Sequence, residues 1–212
     1  MMTAYQLPDL IAEIKRSLND NAVDVAELDR ILGDGDHLTN LQRGIAAVDE
    51  QITHLQTLSW PIALKQIGMT LLSTMGGASG SLYGSLFIKM AASLPTNAPI
   101  TIVDIAASFT AGVEAVKQRG KSDQGEKTLL DTLIPSAEQL QYDCHHNTDR
   151  LTLLRNLSET AIAGMLSTQS LIATKGRAAL MGDKAIGHID AGAKTSQLII
   201  CSIVAVLLDS PA

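Results

Sequence analysis

Apolar residues recur at helical spacing along almost the whole chain, and no run of alternating β-branched residues interrupts them. That period calls for helix-on-helix packing and gives no foothold to a sheet. Helical stretches are expected near residues 8–18, 23–32, 39–55, 59–75, 79–94, 101–119, 128–142 and 149–174, with a last one starting near Ala193. Pro8 suits a first helical turn, and Ser59 followed by Pro61 reads as a helix start. There is no internal repeat, low-complexity tract or linker, so residues 1–212 are expected to form one all-α domain.

The glycines sharpen this picture. Twelve of the sixteen fall in four places: Gly33 and Gly35; Gly76, Gly77, Gly80 and Gly84; Gly120 and Gly125; and Gly176, Gly182, Gly187 and Gly192. These follow the second, fourth, sixth and eighth helical stretches, whereas the connections near Asn21, Thr57, Pro95 and His145 have none. In an up-and-down bundle alternate loops share one end. All four glycine-rich loops would then meet at one rim, together with Asp34, Asp36, His37, Ser79, Lys121, Lys127, Arg177, His188 and Asp190. Gly as an ordinary helix terminator accounts for each glycine singly but not for that polar company.

Composition narrows the functional classes. The 212 residues carry 22 acidic against 16 basic side chains, a formal charge of −6, and only six aromatics. No basic block is present to neutralise phosphates along a nucleic acid, and no aromatic platform to stack bases. The N-terminal ten residues lack a signal-peptide pattern. The longest apolar run, residues 198–208 with Ser202 inside it, is too short to span a bilayer and reads as a core helix. Two isolated cysteines, Cys144 and Cys201, make no disulfide framework. A cytoplasmic protein without membrane or nucleic-acid partners is expected.

The sharpest local feature is the run from Leu28 to His37, with Asp29, Asp34 and Asp36 inside eight residues. Unit charges about 4 Å apart repel by about 4 kcal/mol at an effective dielectric near 20, so the cluster calls for cations unless it is fully solvated. Oxygen donors without Cys or His suit a hard divalent ion such as Mg²⁺. An EF-hand does not fit, because Thr39 and Ile45 stand where its turn Gly and final Glu belong. The small-residue run Met75-Gly76-Gly77-Ala78-Ser79-Gly80-Ser81, leading into an apolar helix, offers backbone N–H groups to phosphate, though such residues also serve close helix packing. Arg119-Gly120-Lys121 and Lys175-Gly176-Arg177 add cations, of which Arg177 suits bidentate phosphate contact. His54, His145 and His146 receive no role.

Four ordered segments carry a resemblance. These are Leu28-Asp29 with Gly33-Asp34-Gly35-Asp36-His37 and Asn40; Gly68 to Leu72 with Gly76-Gly77-Ala78-Ser79-Gly80; Arg119-Gly120-Lys121 with Gly125-Glu126-Lys127-Thr128 and Asp131; and Lys175-Gly176-Arg177-Ala178 with Gly182, Ile186-Gly187-His188, Asp190 and Gly192-Ala193. Together they resemble the nucleotide-binding L subunits of dihydroxyacetone kinase, enzymes of glycerol metabolism. The resemblance implies an antiparallel eight-helix barrel with ADP or ATP at its mouth. It implies two Mg²⁺ ions held by Asp29, Asp34 and Asp36, and nucleotide contacts from His37, Asn40, Ala78, Ser79, Gly120, Leu129, Arg177, Asp190 and Gly192, with Arg177 also catalytic.

The implied partners are a separate K subunit that binds dihydroxyacetone and a phosphohistidine protein of the phosphotransferase system. A homodimer is compatible with it. An ATP-dependent kinase subunit for a related ketose, or a nucleotide-dependent regulator, would use the same site. Leu38, Glu126 and Ala191 depart from the family's usual residues.

Overall fold

The computed structural model describes residues 4–210; the start of the stretch read for a leader, and the outermost residues of the expected domain, lie outside them. The described residues contain ten α-helices and no β-strand: α1 (Leu7–Asp20), α2 (Ala22–Leu32), α3 (His37–Asp49), α4 (Ile52–Leu55), α5 (Trp60–Thr74), α6 (Gly77–Ser93), α7 (Ile102–Gly120), α8 (Leu130–His145), α9 (Arg150–Ser167) and α10 (Ala191–Asp209). Short 3-10 helices follow α9 at Thr168–Ser170 and Ala178–Ala185.

Local chemistry sets most boundaries. Ser59 precedes α5 with Pro61 in the first turn, as expected. Thr101 caps α7 in a reciprocal box with Asp104, and Asp149 caps α9 by accepting from the Thr152 amide at 3.1 Å. The stretch expected as one helix over 39–55 is broken after Asp49, where the Gln51 side chain takes the Ala47 carbonyl at 3.0 Å and reaches Thr70 of α5 at 3.1 Å. The helix expected to run to residue 174 stops at Ser167. There the Ser167 and Thr168 hydroxyls back-bond to the Gly164 and Met165 carbonyls, both at 2.7 Å, and compete with helical propagation.

The chain divides into two compact units, residues 4–12 with Asn40–Lys121 and Glu13–Thr39 with residues 122–210. In the first, α6 packs on both α5 and α7. Close approach explains the glycines there: a Cβ on Gly68 would come 2.9 Å from the Gly84 carbonyl, and one on Gly112 would come 2.9 Å from the Leu86 carbonyl. Gly84 therefore serves packing.

In the second unit α10 packs on α9, α8 and α2. It is long and apolar enough to cross a membrane by length and composition, yet half of that stretch is buried, including Thr195, Ser196, Gln197 and Ser202. That burial makes it the core helix foreseen from the apolar run. Pro135 inside α8 cannot donate to the Asp131 carbonyl, and Gly164 of α9 lies against that oxygen, where a Cβ would come within 2.4 Å.

Candidate functional site

The second unit holds the acidic loop. Asp29 sits in the last turn of α2 and is buried. Gly33 returns its N–H to the Asp29 carbonyl at 2.6 Å, and any Cβ there would fall 2.0 Å from Asp29 Oδ1. Gly35 turns the chain at φ +76°, a conformation that favours glycine. The chain then enters α3, whose first amide, His37 N–H, donates to Asp29 Oδ2 at 2.9 Å. A carboxylate at a helix N-terminus is favoured by the helix dipole.

The result is that Asp29, Asp34 and Asp36 each place a carboxylate oxygen within 4.8 Å of the others, the first buried and the other two exposed. Three hard oxygen donors, two of them open to solvent, form a set that fits a divalent cation such as Mg²⁺. Leu38, two residues after Asp36, is buried in the core.

His37 is the hinge between this loop and α10. Its Nε2 lies 2.9 Å from Thr195 Oγ1. Burial pushes its imidazole below the ordinary histidine range, against the opposing charges of Asp29 and Asp36.

Arg177 reaches the same loop from the long connection between α9 and α10, its Nη2 lying 2.6 Å from Asp34 Oδ2. A small apolar cluster of Leu32, Ala173, Ala178 and Ala185 underlies the pair. Farther along, Asp190 caps α10 through the Ala193 amide at 2.7 Å, and its carboxyl is pushed up to about 6, chiefly by burial, with the nearby Asp131 charge adding to it. Gly192 lies between Asp190 and Leu129: a Cβ there would come 3.0 Å from the first's Oδ2 and 3.4 Å from the second's Cβ. Asp190, Gly192 and Leu129 are thus one neighbourhood.

The remaining assigned residues belong to the first unit. Asn40, one turn into α3, is buried and accepts from Arg43 Nη2 at 2.8 Å. Its amide lies against the glycine loop, where a Cβ on Gly76 would come 2.6 Å from Oδ1, while Gly77 takes φ +68°. Ala78 (exposed) and Ser79 (half-buried) follow in the first turn of α6, where amide groups lack helical acceptors. Gly120 ends α7, and Lys121, not the glycine, adopts the left-handed cap at φ +49°.

Three residues matter more than the sequence reading allowed. Asp131, 1% exposed, accepts from the Gly125 and Thr128 amides at 2.5 and 2.7 Å and shapes the loop before α8. Lys127, expected among the rim cations, is instead 1% exposed, and its amine donates to the Thr168 and His188 carbonyls. Glu126 binds the Thr174 hydroxyl at 2.8 Å. The signal was present in the Glu-Lys-Thr run of residues 126–128, but its partners are distant in sequence.

Comparison with known proteins agrees with this architecture. The family model for the DAK2 domain matches residues 31–205. The chain is 41% identical over 175 residues to the "PEP-dependent dihydroxyacetone kinase 2, ADP-binding subunit DhaL" of Listeria innocua, covering 82% of this chain and 81% of that one. It is 32% identical over 207 residues to the "PTS-dependent dihydroxyacetone kinase, ADP-binding subunit DhaL" of Lactococcus lactis, covering 98% and 100%. Among solved structures, the dihydroxyacetone kinase of C. freundii in complex with AMP-PNP and Mg²⁺ superposes with a TM-score of 0.74 at 22% identity, over 97% of this chain and 34% of that one. The chain thus spans about a third of that enzyme, and the likeness speaks for the all-helical fold.

Proposed function

The chain belongs to the DAK2-domain family, and from that premise we propose that it is the nucleotide-binding subunit of a dihydroxyacetone kinase supplied with phosphate by the phosphotransferase system. The observation that carries this reading is the convergence of three carboxylate oxygens within 4.8 Å beside the Arg177 guanidinium. The names of its relatives support ADP as the nucleotide and the phosphotransferase system as the donor. The DAK2 match runs through both compact units, which favours one nucleotide-binding domain.

Asp29, Asp34 and Asp36 would hold Mg²⁺, two ions in our reading, and the metal when bound offsets the charge of the phosphate oxygens. Arg177 presents a planar fork of donors suited to phosphate and serves as the catalytic cation. His37, Asn40, Gly120, Leu129, Asp190 and Gly192 take nucleotide contacts. Ala78 and Ser79, in the first turn of α6, take the phosphate end of the nucleotide in this reading. The acceptor ketose would sit on a separate K subunit, in the cytoplasm, a reading supported by the relatives' names as ADP-binding subunits of dihydroxyacetone kinases.

Purification without added nucleotide, followed by denaturation and chromatography of the supernatant, tests the reading. ADP at about one per chain supports a tightly held coenzyme. Absence of Mg²⁺-dependent ADP binding, even on titration, overturns it.

A further inference from the structure

The segment from Thr168 to Asp190 carries both Arg177 and Asp190 yet has little regular structure beyond two short 3-10 helices. Two adjacent residues of the α7–α8 connection hold it. Glu126 accepts from the Asp123 amide at 2.7 Å and the Thr174 hydroxyl at 2.8 Å, and faces Lys175 Nζ at 3.6 Å. Its backbone carbonyl accepts from the Thr174 amide at 3.3 Å. Lys127, at φ +60°, turns the opposite way into the interior and donates to the Thr168 and His188 carbonyls. One dipeptide therefore ties the segment at its start, just before Arg177, and just before Asp190.

We infer that Glu126 and Lys127 form a clasp whose task is to position Arg177 and Asp190, with Glu126 the positioning residue for the guanidinium. The apolar cluster under the segment fixes its attachment, but apolar contact is non-directional. Gly176 at φ +63° lies between the clasp and Arg177 and leaves direction to be set by the hydrogen bonds on either side. The Glu126 carboxyl is held down at about 2, mainly by the Asp123 amide and then by Thr174, so it stays ionised at any pH where the protein works. Displacement of a catalytic group by about 1 Å from a remote change can cost on the order of 100-fold in rate.

The functional consequence rests on the nucleotide reading; the clasp itself does not, and the test separates them. Wild type, Glu126→Gln, Arg177→Ala and the double variant are compared by hydrogen exchange at residues 174–178, by calorimetric titration with Mg-ADP, and by thermal melting. Glu126→Gln loses a charge-assisted bond, so exchange in 174–178 quickens by about tenfold while Tm barely moves. Mg-ADP affinity falls about tenfold in the presence of Arg177 and does not fall further in the Arg177→Ala background. Unchanged exchange in 174–178 overturns the clasp whatever the nucleotide does. Equal losses of affinity in both backgrounds overturn the positioning of Arg177. Failure of the wild type to bind Mg-ADP, with exchange still accelerated, overturns the nucleotide reading and leaves the clasp standing.

Discussion

Arg177 and Asp34 form a 2.6 Å ion pair that joins the connection after α9 to the connection after α2. The guanidinium is 66% exposed and the carboxylate 34% exposed. Exposed pairs of this kind contribute only about 0–1 kcal/mol, so the contact does not hold the segment in place. Burial of Ala173 and Ala178 against Leu32 and Ala185 does that. The pair marks where positive and negative groups with unspent capacity for other partners come together.

Removing the exposed carboxylates separates binding from folding. Asp34→Asn and Asp36→Asn are expected to abolish Mg²⁺-dependent ADP binding in calorimetric titration. Surface changes of this type move stability by about 0.5 kcal/mol or less, and Tm by about 1–2 °C in a chain of this size. A melt collapsing by many degrees would make these residues structural.

Lys127→Met tests the buried arm of the clasp. The substitution takes the amine from the half-buried His188 carbonyl and from the buried Thr168 carbonyl, which keeps only the Leu171 amide at 3.2 Å. Leaving one such group without a partner costs about 1–3 kcal/mol, so Tm should drop by roughly 2–12 °C in differential scanning calorimetry. Wild-type stability would contradict the burial of the amine.

Asp190 gives a pH signature. Its carboxyl in the folded chain sits at about 6, above the ordinary value near 4 in an unfolded one. Ionisation therefore opposes folding: this group's stabilising share is complete below about pH 4, declines as pH rises towards 6, and is flat above. The span is at most about 3 kcal/mol. Asn retains an acceptor for the Ala193 amide. Asp190→Asn should match wild type at pH 4 and exceed it at pH 8 in urea denaturation without nucleotide, and parallel curves would refute the assignment.

Gly164→Ala probes the α8–α9 contact. The added methyl would come 2.4 Å from the Asp131 backbone carbonyl, which cannot move without disturbing the start of α8. Overpacking of that kind costs about 1–3 kcal/mol, readable as a lower urea midpoint with an unchanged slope.

Several of these relationships are visible in the sequence and several are not. Ser59-Pro61, Thr101 with Asp104, and Asp149 state their helix starts through local chemistry, and each is where the chain begins a helix. The break after Asp49 and the stop at Ser167 are not visible from periodicity. Both depend on polar side chains competing for helical carbonyls, and the Gln51 amide also reaches Thr70 on a different helix. The four glycines outside the connections, Gly44, Gly68, Gly112 and Gly164, carry no local signal either, because what excludes a side chain there is a neighbouring element.

By itself the sequence determined an all-helical chain, through apolar spacing. It also placed three Asp residues inside eight positions, and the turn through Gly33 and Gly35 is what gathers their carboxylate oxygens within 4.8 Å. Only the tertiary structure decided which charged residues face outward for chemistry and which turn inward as braces. Lys127 and Arg177 look alike as rim cations in the sequence. One is buried under two carbonyls and the other lies exposed beside Asp34, because desolvating a cation is tolerable only where folding brings acceptors to it.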